Sequence, residues 1–318
     1  MTTDVLALGY QQNWLTILES PFMRNALVGG TVVALASGLM GYFIVVRRNA
    51  FASHALAHMG LPGATGAVLL GVPPVLGLGV FCVGGALIIG ALGKRAADRD
   101  VVTGTTLAFA TGLGLFFNSL ATKSSSTMTN VLFGNLLAIT HEQLIGFSVL
   151  FLVLTICVGL IYRPLLYSSV NPAVAEAKGV PVRALSVVFM VLLALGVTMA
   201  VQAVGTLLLF ALLVTPAATG IMLTPRPSLA MAISAATSVF SVWVGLGASA
   251  MFNVPPSFLI VTVACGIWLT VWLVDRRGGR VAAVLDDPAG QVDVAPADAA
   301  LSPPATEVVA SGAARRPS

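Results

Sequence analysis

The stretch from Asn25 to Val46, NALVGGTVVALASGLMGYFIVV, decides the fold class of this chain. It contains no charged residue. It is also as long as the roughly 20 apolar residues that a helix needs to cross a hydrocarbon core about 30 Å thick. Because lipid offers the backbone no hydrogen-bond partner, a segment of this kind crosses as a helix. We therefore predict a transmembrane helix over residues 24–46.

Comparable apolar stretches recur along most of the chain, which is 57% hydrophobic and only 9% charged, with a mean hydropathy of +0.97. Soluble domains carry roughly 25% charged residues, so this composition excludes an ordinary soluble protein. It predicts an all-α, polytopic membrane helix bundle with eight or nine transmembrane helices. The predicted spans are 24–46, 54–71, 74–92, 102–121, 144–162, 182–201, 204–223, 228–251 and 256–274.

Basic residues predict the orientation, because Lys and Arg beside spans are retained on the cytoplasmic side. One set of alternate loops holds only Arg24 and Lys123. We therefore expect the N-terminus outside and the C-terminus in the cytoplasm, and the net charge of +4 gives no indication of nucleic-acid binding. The other set of loops holds Arg47, Arg48, Lys94, Arg95, Arg99, Arg163, Lys178, Arg183, Arg226, Arg276, Arg277 and Arg280.

Three regions follow from these patterns. Residues 1–23 are interpreted as an interfacial N-terminal segment and residues 24–275 as one transmembrane domain. Residues 276–318 lack helical periodicity over most of their length and are rich in Ala, Pro and Asp. Such a composition cannot bury enough apolar surface to fold, so we expect a disordered cytoplasmic tail.

Two histidines, His54 and His58, form the chain's closest cluster of side chains able to bind a metal. Four residues turn a helix by about 400°, so both imidazoles lie on one face, roughly 6 Å apart along the axis. Polar residues within a span usually mark a transport pathway, and neutral imidazole is a ligand for zinc and similar ions. The alternative is a pair of interfacial histidines that form hydrogen bonds to neighbouring helices.

The segment from Asn171 to Pro181 predicts a short helix with a stop at each end. Asn171 suits the N-cap and Pro172 the first helical position, while Gly179 can end the helix in the left-handed conformation. A rigid, solvent-facing helix between spans is suited to docking in a groove of another protein. A capped loop without a partner is the alternative.

A third segment, from Val201 to Ala218, contains features that interrupt a regular helix. Thr215 and Pro216 predict a kink, and Gln202 lies beside Gly205 at a turn where an unwound backbone is tolerated only next to protein or water. Proline kinks are common in membrane helices, so these residues identify a candidate pathway segment only together with the two preceding features.

Together these segments resemble the permease subunits of the ABC-3 family, which are ABC importers of divalent zinc, manganese or iron. The resemblance covers about Pro21 to Asp275. It rests on the order and spacing of PFMRNA (21–26), VVRR (45–48), HALAH (54–58), LPG (61–63), LFG (132–134), EAKGVP (176–181), QAVG (202–205) and LLVTPAA (212–218).

This resemblance implies a bacterial plasma-membrane complex with several partners. Two copies of the permease would form the pathway through the lipid, and an extracytoplasmic metal-binding protein would deliver the ion. Two ATPase subunits would bind and hydrolyse ATP, because this chain lacks the Gly-x4-Gly-Lys-Ser/Thr loop. The coupling helix that meets the ATPase would comprise Asn171, Pro172, Glu176, Lys178 and Gly179.

Two departures from the family pattern concern the cargo. His54 and Asn253 stand where the resemblance leads us to expect aspartates. Replacing oxygen with nitrogen ligands shifts preference from manganese towards zinc, so zinc is our first expectation, with His54 and His58 in the pathway and Asn253 at an outer gate. Loss of both carboxylates is also consistent with a cargo other than a bare cation. A secondary carrier driven by an ion gradient stays the alternative, whereas an enzyme is disfavoured because no HExxH helix is present.

Overall fold

The structure, a computed structural model, describes residues 19–92, 96–120, 124–252 and 254–278. These residues form helices joined by short turns, which confirms the predicted all-α bundle. The helices are α1 (Pro21–Val46), α2 (Ala50–Leu69), α3 (Pro74–Leu92), α4 (Ala96–Leu120), α5 (Ser124–Phe133), α6 (His141–Val170), α7 (Pro172–Ala177), α8 (Val182–Val204), α9 (Thr206–Leu223), α10 (Pro227–Phe252) and α11 (Pro256–Gly278).

Nine of these helices, all except α5 and α7, coincide with the nine predicted spans. Within the described ranges, seven are long and apolar enough to cross a membrane by length and composition. The other two are α2, which carries the polar His54 and His58, and the shorter α9. Both contribute many buried residues to the core, so they contact protein more than lipid along much of their length.

The boundary residues refine the predicted regions. Helix α1 begins at Pro21, inside the segment assigned to the interface, and Ser20 precedes it in an extended conformation. Helix α11 continues to Gly278, inside the segment assigned to the tail. Residues 1–18 and 279–318 lie outside the described part of the chain, so the two terminal assignments stay predictions.

The core is centred on α1, α2 and α8, and α6 packs against one side of it. Phe43 of α1 is fully buried, and its ring meets Tyr162 of α6 and Phe189 of α8 edge-on, with centroids 6.2 and 6.1 Å apart. Edge-to-face pairs at these separations are favourable because the positive ring edge meets the negative ring face. These contacts hold α6, which leads into α7, against the helix that leads into α2.

Small residues allow α1 to approach α10 closely. Gly38 faces the backbone of Ala235, and a side chain at Gly30 would collide with Val242. Because lipid is as apolar as the helices, association in a membrane relies on such close van der Waals contact. The spacing of Gly30, Ala34 and Gly38 in the sequence predicts this packing face.

Two glycines meet where the chain leaves α5 and where it passes from α8 to α9. Gly134 has φ +72° and Gly205 has φ +84° with ψ 163°, conformations that L-residues rarely adopt. A Cβ atom at Gly205 would overlap the backbone of Phe133 and Gly134. One backbone hydrogen bond joins the segments, since Asn135 N donates to Gln202 O at 3.4 Å.

Candidate metal-binding pair and coupling helix

The imidazoles of His54 and His58 lie side by side on α2. Their ring centroids are 4.7 Å apart with an interplanar angle of 71°, and both side chains are half-buried. A centroid separation of 4.7 Å is compatible with one nitrogen of each ring binding a single cation through metal–nitrogen bonds of about 2.1 Å. The arrangement agrees with the prediction that both residues share one helical face, while metal binding stays a prediction.

Phe210 of α9 forms one wall of this pair. Its ring is 5.7 Å from that of His54 in an edge-on arrangement, and 39% of its surface is exposed. An apolar ring beside the imidazoles limits their hydration without supplying a ligand. Neither the sequence spacing nor the motif indicates this contact, because His54 and Phe210 are 156 positions apart in the chain.

The pair would supply a metal ion with two ligands and no fixed negative charge. Among the described residues, no group of three or more His, Cys, Asp or Glu side chains lies close enough together to hold a metal ion. Zinc sites in proteins are usually four-coordinate, so two further ligands would have to come from outside this set. Asn253, the third residue predicted to bind metal, lies outside the described part of the chain.

Gln202 belongs to a different part of the molecule from the histidines. Its Nε2 atom donates to Thr198 O at 3.0 Å, and its side chain lines a cavity of about 280 Å³ together with Asn130, Asn135 and Gln143. The α2 residue in this lining is Ala64, six residues after His58. Six residues turn a helix by about 600°, so Ala64 lies on another face of α2.

Thr215 and Pro216 lie inside α9, which continues as a helix from Thr206 to Leu223. Pro216 lacks an N–H group, so the backbone hydrogen bond that it would donate one turn earlier is missing. Thr219 Oγ1 donates to Thr215 O at 2.9 Å in the same turn. The structure therefore places these two residues on the helix that also carries Phe210.

The segment after α6 folds as the capping residues predict. Asn171 Oδ1 accepts a hydrogen bond from Val174 N at 3.1 Å, Pro172 begins α7, and Gly179 has φ +80°. At the other end, Val180 N donates to Ala175 O at 3.0 Å and closes the last turn. Both ends of this short helix are thus defined by local hydrogen bonds.

One face of α7 packs against the rest of the protein, and the other face is exposed. Ala175 is completely buried, whereas Glu176 is exposed and Val174 is 42% exposed. Lys178 places its Nζ atom 5.4 Å from the ring centroid of Tyr167 on α6. The sequence prediction singled out Glu176 and Lys178 but missed Val174, the exposed apolar side chain that a protein groove would bury.

Comparison with known proteins agrees with this architecture. The model of the ABC 3 transport family matches residues 19–275. The manganese transport system membrane protein MntC of Listeria monocytogenes is 31% identical over 264 residues, which cover 83% of this chain and 94% of that protein. The manganese import system permease protein ScaB of Streptococcus gordonii is 32% identical, with 80% and 91% covered.

A solved structure is similar over the same region. In the structure of PsaBC from Streptococcus pneumoniae in complex with Fab, the matching chain has a TM-score of 0.74 and 29% sequence identity, with 82% of this chain and 94% of that chain covered. The family match, the relatives and the helix bundle all cover nearly the whole predicted transmembrane domain. The chain therefore belongs to the ABC-3 transport family and is a multi-pass permease of metal-importer type.

Proposed function

We propose that this chain is the membrane subunit of an ATP-driven importer and that its cargo, a divalent transition metal, passes His54 and His58. The observation that supports this proposal best is the imidazole pair, 4.7 Å between ring centroids, on a helix of an ABC-3 permease. In this proposal ATP binds to separate ATPase subunits, and a metal-binding protein delivers the ion on the outer side. The N-terminus lies outside and the C-terminus lies in the cytoplasm.

A second copy of the chain is part of the proposal. Two imidazoles leave a four-coordinate ion incomplete, and both histidines and Phe210 retain exposed surface. In a homodimer, groups from the second copy or water would complete the coordination. The same dimer would give each of two ATPases its own α7.

Two cargo ions are candidates. The related MntC and ScaB proteins are named for manganese, so the comparisons give no support to a preference for zinc. The imidazole pair favours zinc over manganese, because nitrogen ligands suit zinc and oxygen ligands suit manganese. Competition between the two ions for uptake by the assembled transporter decides between them.

Transport by purified components separates the importer from the alternative secondary carrier. Liposomes that contain this chain with its ATPase and binding protein are expected to accumulate metal only when ATP is supplied. Liposomes with this chain alone are expected to accumulate none, with or without a pH gradient. Accumulation by the chain alone against a concentration gradient would contradict the proposal.

Val174→Asp is expected to weaken association with the ATPase by at least tenfold. A carboxylate at this position would be desolvated without a partner if α7 enters an apolar groove, and burying an unpaired charge costs several kcal/mol. The measurement is copurification of the ATPase with the permease, followed by ATP-dependent uptake. The Glu176 and Lys178 double change is expected to act in the same direction.

The matched control is Val72→Asp. Val72 lies just after α2 and is 41% exposed, which is nearly the exposure of Val174. The whole length of α2, about 20 residues, separates Val72 from the turn that precedes α2. Val72 therefore lies away from the end of the bundle that holds α7. The Val72→Asp variant should still associate with the ATPase. If Val72→Asp and Val174→Asp lose ATPase association equally, the result would argue against docking through α7.

A further inference from the structure

We infer that Arg47 is a positioning residue that links the docking helix α7 to the histidine-bearing helix α2. This inference rests on the proposed function, because it assigns a task to Arg47 only if α7 receives the movement of an ATPase. It concerns a half-buried residue outside both the histidine pair and α7. Its basis is a set of contacts at the turn between α1 and α2.

Arg47 follows the last residue of α1 and reaches across to the last turn of α6. Its Nη1 atom donates to Ser168 Oγ and to Ser169 Oγ, both at 3.1 Å. The guanidinium carbon lies 5.4 Å from the ring centroid of Phe189 on α8. One half-buried side chain therefore contacts α6 and α8 from the end of α1.

The two serines are oriented as acceptors for this cation. Ser168 Oγ and Ser169 Oγ both donate to Leu165 O, at 3.0 and 2.6 Å. A hydroxyl has one proton and two lone pairs, so each serine has used its proton on the helix backbone and presents a lone pair to Arg47. Hydrogen bonds with a charged donor are shorter and stronger than neutral ones, which suits a link that must transmit displacement.

The positions of these residues in the chain give the link its proposed role. Ser169 lies two residues before Asn171, which caps α7, and Arg47 lies three residues before Ala50, the first residue of α2. His54 follows in the first turns of α2. A displacement of α7 would thus reach the base of the histidine helix through a fixed side-chain contact as well as through the packed core.

The backbone around Arg47 is suited to transmit rather than absorb movement. Arg48 has φ +53°, the left-handed conformation that ends α1, and Asn49 N donates to Ile44 O at 2.8 Å. Ser53 N then donates to Asn49 O at 2.9 Å, which connects the turn to α2. Consecutive hydrogen bonds leave few free torsions between Arg47 and the first turn of α2.

The test uses the full complex of permease, ATPase and binding protein in liposomes, with metal uptake and ATP hydrolysis measured together. Arg47→Ala and the Ser168→Ala, Ser169→Ala double variant are both expected to retain at least half of the ATP hydrolysis. Both should lower the metal transported per ATP by at least fivefold. Arg47→Lys, which keeps a cationic donor, should recover part of this ratio.

Arg183→Ala is the matched control, because Arg183 is an exposed arginine at the start of α8, close in sequence to α7. It removes the same charge and should leave the transport ratio unchanged. If uptake and hydrolysis in the serine double variant fall in proportion, or if neither changes, Arg47 does not couple the two helices and the inference is overturned. Failure of the unaltered complex to import metal would instead refute the proposed function.

Discussion

Replacing either His54 or His58 with alanine should lower metal uptake by at least tenfold at subsaturating metal. The two imidazoles lie 4.7 Å apart, and the described residues bring no third His, Cys, Asp or Glu ligand beside them. In the proposed site, loss of one imidazole would remove half of the coordination that this chain offers. Even loss of a group that only orients a ligand typically costs 10–100-fold in metal affinity. Uptake of radioactive or fluorescently detected metal into cells or liposomes measures the effect.

His141→Ala provides the control, since His141 is the only other histidine in the chain and is exposed at the first residue of α6. Its uptake should equal that of the unaltered protein. If uptake is unchanged in both α2 variants, these side chains do not line the pathway. If His141→Ala loses as much uptake as they do, the effect does not depend on the pair.

A carboxylate at position 54 tests the choice between zinc and manganese. His54→Asp replaces a nitrogen ligand with oxygen, so the ratio of manganese to zinc uptake should rise. An unchanged ratio would mean that residue 54 does not contact the ion.

The second large effect is expected at the crossing of Gly134 and Gly205. Gly205→Ala should lower the free energy of unfolding by on the order of 3 kcal/mol or more, from two additive causes. The conformation with φ +84° and ψ 163° is essentially restricted to glycine, and a Cβ would also overlap the backbone of Phe133 and Gly134. Thermal unfolding in detergent, followed by tryptophan fluorescence, and the yield of monodisperse protein measure the loss.

Substitutions at two other glycines separate the cost of the backbone conformation from the cost of the steric overlap. Gly179 has φ +80°, but no atom lies within 4 Å of the place that an added methyl group would take, so Gly179→Ala should show the cost of backbone strain alone, about 1 kcal/mol. Gly247 lies inside α10 with open space around it, so Gly247→Ala should be neutral or slightly stabilising. If Gly205→Ala is no worse than Gly179→Ala, the close approach to Gly134 does not contribute to stability.

Several features were predictable because they depend on neighbours in the sequence. The nine spans follow from uninterrupted apolar length, and the limits of α7 follow from Asn171, Pro172 and Gly179. The shared face of His54 and His58 follows from helical geometry alone. Each of these depends on backbone geometry and hydrogen bonds over a few residues, which no distant contact overrides here.

Other features required the folded chain. The contact of Arg47 with Ser168 and Ser169 joins residues more than 120 positions apart. The wall that Phe210 forms beside His54 and the crossing of Gly134 with Gly205 likewise join distant segments. In a membrane span, an apolar side chain facing lipid and one facing protein look alike in the sequence, since both surroundings are apolar.

Apolar length and local capping thus determined from the sequence alone that this chain is a helical membrane protein with a short capped helix between spans and an imidazole pair. The tertiary structure alone decided which helices meet, that Gln202 lies in a cavity apart from the histidines, and that one arginine joins the turn between α1 and α2 to the end of α6. The physical reason is one of range. Helix formation is governed by contacts within one or two turns, whereas helix association depends on the mutual fit of surfaces that the sequence does not place side by side.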